Sequence, residues 1–174
     1  DRRPGDDHGL EAAGVVLREG LGGQAEHAGE HRRYRDQHVG AVVRDQLERV
    51  RARLDPLHDK LVKVLVTHHP FDLPAHMDKD DLVGRARKAM KEFANSGVDV
   101  LLGGHMHTSE AVTTDARYQH GAYSALSIQA GTATSTRQRG EVNSFNTLRV
   151  ECDRVEVDEV GRAAEQGIFK KTGT

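Results

Sequence analysis

At residues 98–107 the chain reads VDVLLGGHMH, a short apolar run followed by two glycines and by histidines at positions 105 and 107. An apolar run of this length that ends at glycine predicts a buried strand. Residues 61–70 read LVKVLVTHHP, a second apolar run, which ends in His68, His69 and Pro70. Each of the two predicted strands therefore carries histidine at its end.

The residues between the two runs predict a helix from about Asp80 to Asn95. Gly97 is a typical residue just past a helix end, and the buried stripe follows the helical spacing through Leu82, Ala86, Ala89 or Met90, and Phe93. A strand, a helix and a strand in this order form a crossover that makes the two strands parallel neighbours. Parallel strands end at the same edge of a sheet, so we expect His68 and His105 to lie together there.

The rest of the chain predicts one α/β domain and two weaker segments. A helix is predicted over 44–54, and shorter strands, antiparallel in their arrangement, are predicted over 109–114, 122–130, 143–150 and 154–160. Residues 1–42 combine Gly, Arg and His with no Lys, Phe, Ile or Met, which predicts an irregular segment. That composition is also expected of a truncated gene whose start is out of frame. We expect the domain to occupy 43–165 and a tail to occupy 166–174.

Composition excludes several classes of function. The formal net charge of −2 provides no basic field for nucleic acid, so a DNA or RNA binder is disfavoured. The single cysteine excludes an intramolecular disulfide and cysteine-based zinc sites. No apolar run approaches the roughly 20 residues of a membrane helix. These features favour a cytoplasmic protein with no membrane span.

The histidines are the candidate functional residues. Neutral imidazole is a common ligand of zinc and also suits iron, while mixed nitrogen and oxygen sites accept manganese. His105 and His107 alone are weak evidence, since two loop histidines without a functional role are the favoured interpretation of that pair by itself. For His69 a packing or hydrogen-bonding role is favoured, because Pro70 biases it toward an extended conformation. The pairing of the two strand ends favours a metal site.

Three motifs resemble those of the calcineurin-like metallophosphoesterases, and in particular the bacterial cyclic-nucleotide phosphodiesterase-like branch. They are VTHHPF at residues 66–71, GGHMH at 103–107 and QAGTATS at 129–135, and the resemblance extends from Val43 to about Val160. It implies a mixed β-sheet with helices that forms part of a four-layered α-β-β-α sandwich. It also implies hydrolysis of a small phosphoester or nucleotide substrate.

The resemblance implies roles for individual residues. His68 and His105 match ligands of one divalent ion, and His107 matches a ligand of a second. In this family the two ions, Mn, Fe or Zn, lie about 3.5–4 Å apart and activate a bridging water for attack on phosphorus. His69 and Asp72 are candidates for hydrogen bonds that orient the ligands. Independently of the resemblance, Arg137 is a candidate contact of the substrate phosphate if its loop folds over the cleft, but a solvated turn is the favoured interpretation.

The chain also departs from the family. The family places Asp-x-His, Gly-Asp and Gly-Asn-His motifs, each in its own spacing, before the equivalent of His68. Gly5-Asp6-Asp7-His8 contains the right kinds of residue, but it does not have the family's spacing and no apolar strand precedes it. Without the bridging aspartate and the asparagine ligand, three imidazoles would bind one metal loosely at best. Two functions therefore stay open, a metal-dependent phosphoester hydrolase and a non-catalytic remnant that binds one metal or a protein partner. An incomplete sandwich would also leave an apolar sheet face uncovered, which predicts self-association.

Overall fold

The computed structural model describes residues 12–16, 42–77, 81–134, 142–151, 154–163 and 168–173. In these ranges the elements are, in chain order, β1 (Ala12–Val16), α1 (Arg44–Leu54), β2 (Val62–Val66), α2 (Ala86–Asn95), β3 (Val100–His107), β4 (Glu110–Thr113), β5 (Leu126–Gly131), β6 (Ser144–Val150), β7 (Val155–Arg162) and β8 (Phe169–Gly173). A short 3-10 helix, Thr114–Ala116, follows β4. None of the helices in the described ranges has the length and apolar character needed to cross a membrane.

The strands form two sheets. The larger sheet has the order β1-β2-β3-β5-β4, in which β4 alone runs antiparallel to its neighbour. The smaller sheet is antiparallel, with the order β6-β7-β8. The predicted α/β class with a mixed sheet is confirmed.

Both helices pack on one face of the larger sheet. Leu65 of β2 pairs with Leu101 of β3, so the two side chains lie on the same face. They belong to one buried cluster with the apolar stripes of α1 and α2, which are Leu47, Val50, Leu54, Ala86, Ala89, Met90 and Phe93. This cluster fixes the crossover between β2 and β3, and with it the position of the two histidine-bearing strand ends.

One predicted helix boundary is wrong, and two strands lie in segments for which the sequence predicted none. α2 begins at Ala86 and not near Asp80, because Arg85 lies in the left-handed region with φ 66° and cannot continue a helix toward the N-terminus. Residues 12–16 of the segment expected to be irregular form β1, which pairs with β2 over its full length. Residues 169–173 of the expected tail form β8, which pairs with β7.

The arrangement of the second half also differs in part from the prediction. β5 is parallel to β3 and occupies the interior of the larger sheet, whereas we expected an antiparallel strand. The buried run of Ser127, Ile128 and Gln129 explains this position, since an interior parallel strand is covered on both faces. The remaining strands are antiparallel to their neighbours. This confirms the prediction for β4, β6 and β7, whereas β8 was not predicted as a strand.

Candidate metal centre

The carboxyl ends of β2 and β3 lie side by side and carry the predicted histidines. The two strands stay in register up to the pair Val66 and Leu102. Beyond it, Thr67 N–H donates to Leu102 O at 2.8 Å and Gly104 N–H donates to His68 O at 3.1 Å. Strand pairing therefore continues past the end of β2 and brings the residues around 68 and 104 into direct contact.

Three imidazoles meet at this edge. His68 Nε2 and His105 Nδ1 are 3.2 Å apart, and the ring centroid of His69 is 4.4 Å from that of His105 and 4.8 Å from that of His68. One ring nitrogen from each of the three residues lies within 4.8 Å of the others. His69 is buried and His68 is exposed, so the group has one side in the protein and one in solvent.

The backbone at this edge is strained. His105 and His107 have φ values of 71° and 61°, in the left-handed region that residues with a Cβ rarely occupy. Such a conformation costs roughly 1–2 kcal/mol per residue. It occurs where the pairing of β3 with β5 shifts register between Gly103 and His107. Strain of this kind is concentrated at functional sites, where neighbouring structure holds it in place.

The electrostatics of the group favour neutral imidazole at His105. Burial lowers the pKa of the His105 ring, and the neighbouring charges of His69, His68 and His107 lower it further. A neutral imidazole keeps a lone pair free on one ring nitrogen, which is the form that binds a metal ion.

The arrangement fits a single divalent ion. In a tetrahedral zinc site with Zn–N bonds of about 2.0–2.1 Å, the ligand nitrogens lie roughly 3.3 Å apart. His68 and His105 already have this spacing. The ring nitrogens of all three residues lie within 4.8 Å of one another, so His69 would have to approach by up to about 1.5 Å to complete the site. The described ranges hold no other group of three or more His, Cys, Asp or Glu with donor atoms this close, and this group includes no carboxylate. A second ion bridged by an aspartate therefore has no ligand set in the part of the chain described.

His107, the predicted ligand of a second ion, lies outside the three-histidine group. Its Nδ1 is 2.6 Å from Thr132 Oγ1 across the end of the β3 and β5 pair. The side chain is exposed. Its role as a ligand stays a prediction.

Asp72 and Arg137 are the other two predicted site residues, and the structure describes only Asp72. Asp72 is buried, and its carboxylate accepts hydrogen bonds from Arg117 Nε at 2.6 Å and from Leu73 N–H at 2.9 Å. Burial raises the pKa of Asp72, although Arg117 and the Leu73 N–H oppose that rise. The carboxylate thus supports the segment after the histidines. Arg137 lies outside the described residues.

His69 is the residue whose place the sequence indicated least well. It was expected to pack or to orient a ligand, and its ring centroid lies 4.4 Å from that of His105. The signal for it is the doubled histidine before Pro70, which stiffens the backbone at this point. Thr67 Oγ1 donates to His69 O at 3.0 Å and fixes the same turn.

No family model matches the chain, and no curated protein matches it. Among solved structures, a double mutant of Vps29 from Entamoeba histolytica is 13% identical with a TM-score of 0.34, over 78% of this chain and 91% of that one. A single mutant of the same protein is 14% identical with a TM-score of 0.34, over 79% of this chain and 93% of that one.

Proposed function

We propose that this chain binds one divalent metal ion through His68, His69 and His105 and hydrolyses phosphoesters with it. The observation that supports the proposal is the meeting of three imidazoles at the carboxyl ends of β2 and β3. When bound, an ion with three histidine ligands and an open position polarises a phosphoryl oxygen and lowers the pKa of water. The substrate proposed is a small phosphoester or nucleotide.

The roles of the protein residues follow from their positions. His68 is exposed and lies on the side from which substrate approaches, whereas the buried His69 anchors the site to the protein. His105 connects the two through its contact with both rings. The left-handed backbone at His105 holds its ring within reach of His68 before an ion binds.

A non-catalytic metal-binding domain is the second candidate. The observation that favours it is the composition of the group, which has three imidazoles and no carboxylate to accept a proton from water. A bound ion would then stabilise the edge of the sheet without turnover. The two candidates share the ligand set and differ only in activity.

Metal content and phosphodiesterase activity separate these candidates. We expect the purified protein to bind one equivalent of Zn²⁺ or Mn²⁺ and to hydrolyse bis(p-nitrophenyl) phosphate only with the ion present. The His69→Ala variant should lose metal and activity together, whereas His58→Ala should retain both, because His58 is an exposed residue that precedes β2. One equivalent of bound metal without turnover would support the non-catalytic candidate. Absence of metal binding would refute both candidates.

A further inference from the structure

The segment from His68 to Leu73 accepts a hydrogen bond at every carbonyl oxygen. The donors, in chain order of the acceptors, are Gly104 N–H at 3.1 Å, Thr67 Oγ1 at 3.0 Å, Val83 N–H at 3.0 Å, Tyr118 Oη at 2.6 Å, Gln129 Nε2 at 3.5 Å and Arg117 Nη2 at 2.7 Å. No donor is used twice. Surface connections usually leave such groups to water, so this segment is fixed far more completely than a connecting loop requires.

Two of the donors are neighbours in the chain. Arg117 and Tyr118 follow the 3-10 helix Thr114–Ala116 directly, on the connection between β4 and β5. Arg117 contacts the segment twice, through Nη2 to Leu73 O and through Nε to the carboxylate of Asp72. The ion pair is largely removed from solvent, with Asp72 2% and Arg117 16% exposed at their side chains. A guanidinium holds two acceptors at a fixed angle, which a single hydrogen bond does not.

The Tyr118 hydroxyl has an equally specific contact. It donates to Phe71 O, and burial raises the pKa of Tyr118 to about 12, so it remains a donor. The Phe71 ring packs edge-on against Phe93 of α2 at 4.9 Å between centroids. The backbone three residues after His68 is thus fixed on one side by a hydroxyl and on the other by the core.

We propose that Arg117 and Tyr118 are positioning residues for the metal site. By holding the carbonyls of residues 71 and 73 they fix the direction in which the chain leaves His69, so the imidazoles of His68 and His69 are in place before an ion binds. Ordering these groups in advance removes an entropic cost from metal binding. The inference rests on the proposed function, since it concerns the same three histidines.

The test compares two tyrosine variants that each remove one hydroxyl. Tyr118→Phe removes the bond to Phe71 O, and Tyr123→Phe removes a similar bond of 2.7 Å to Val98 O, which precedes β3 at the opposite end from its histidines. Co²⁺ titrations report both affinity and, through the visible absorption band, the geometry of the ligands. We expect Tyr118→Phe to weaken Co²⁺ binding about tenfold and to alter the band, with Tyr123→Phe unchanged in both.

Variants of Arg117 extend the test. Arg117→Met should weaken Co²⁺ binding by up to about a hundredfold, and Arg117→Lys should recover part of the loss because its ammonium still reaches one acceptor. Arg149→Met is the control, since Arg149 forms an exposed ion pair with Glu156 on the smaller sheet. If Arg117→Met does not fold, Tyr118→Phe and Arg117→Lys decide the question.

The outcomes distinguish this inference from the proposed function. Wild-type protein that binds no Co²⁺ would refute both. Wild-type binding together with unchanged affinity and absorption in Tyr118→Phe and Arg117→Lys would overturn the positioning role alone, even if these variants melt at lower temperature. Weaker binding with an altered band in folded variants would support it.

Discussion

At the scale of single residues, His105 combines a strained backbone conformation with a lowered ring pKa. Its ring contacts both other imidazoles, and its backbone lies at φ 71°. The pKa of its ring is lowered, chiefly by burial. Protonation of this ring places a charge beside two further imidazoles in a partly desolvated site, so the folded state resists it.

This resistance predicts a pH-dependent stability of the metal-free protein. The folded pKa of His105 lies below the unfolded value of about 6.5, so the unfolded state binds more protons between the two. Stability is therefore retained above about pH 6.5 and falls as the pH drops through that value toward the folded pKa. Urea midpoints measured at pH 7.5 and at pH 5.5 should show this decline.

The variant that tests it is His105→Asn. Asparagine tolerates the left-handed backbone and does not titrate. We expect a smaller decline in the urea midpoint than in wild type, with His58→Asn retaining the full decline. An undiminished pH dependence in His105→Asn would assign the effect to other groups.

Gly103 gives a second prediction at the residue scale. A Cβ at this position would lie 2.6 Å from Gln129 Nε2 and 2.7 Å from Gln129 Oε1, and Gln129 is buried. Gly103→Ala should therefore lower the free energy of unfolding by about 1–3 kcal/mol. Gly104→Ala is the control, because its Cβ would meet only His68 O at 3.9 Å. Equal urea midpoints for the two variants would contradict the prediction.

At the scale of secondary structure, apolar periodicity predicted the elements that build the core. α1, β2 and the start of β3 were predicted almost to the residue, because their buried side chains repeat at the helical or strand spacing. The same logic placed His68 and His105 at one edge, where their ring nitrogens are 3.2 Å apart.

The sequence did not predict β1 and β8, because these strands are stabilised by pairing with a neighbouring strand and not by a strand-like pattern of their own residues. β1 reads AAGVV and β8 reads FKKTG, and both are rich in residues with little strand preference. Each exists because a neighbouring strand offers its free edge. The extension of β3 through His107 has the same origin, since β5 pairs with it beyond the glycines. Long-range partners of this kind cannot be read from local periodicity.

A prediction at this scale concerns the contact between α2 and the histidine segment. Phe93 is fully buried and packs against Phe71. Phe93→Ala should reduce the free energy of unfolding by about 3–5 kcal/mol through cavity formation and lost contacts. The exposed α2 residue Lys91 supplies the control, and Lys91→Ala should remain close to wild type in urea unfolding. The expected loss for a buried phenylalanine is about 3–5 kcal/mol. A measured loss below about 1 kcal/mol for Phe93→Ala would therefore argue against a core built on this helix.

At the scale of the whole molecule, the two sheets are joined through β5 and β6. Ser144 N–H donates to Thr132 O at 3.0 Å, and Asn146 Nδ2 donates to Gln129 O at 3.0 Å. Ser144 and Asn146 share one face of β6, so that face is directed toward the larger sheet. Phe145 lies on the opposite face and is directed away from it.

That outer face carries an exposed aromatic pair. The rings of Phe145 and Phe169 are 5.2 Å apart and are 38% and 41% exposed as residues. Ile168 and Val142 are also exposed apolar residues of this part of the chain. Lys170 and Lys171 lie in β8, at the edge of the sheet, where lysine opposes pairing with a further strand. Association through the face is therefore favoured over association through the edge.

Self-association is the prediction that follows. The sedimentation coefficient should rise with protein concentration, and the double variant Phe145→Ser with Phe169→Ser should reduce that rise, because it removes the apolar area that association would bury. Val43→Ser is a matched control, since Val43 is similarly exposed but directly precedes α1 and is not part of the smaller sheet. A wild-type protein that sediments as a monomer at all concentrations would contradict the prediction. Association that persists in the double variant would place the contact elsewhere on the molecule.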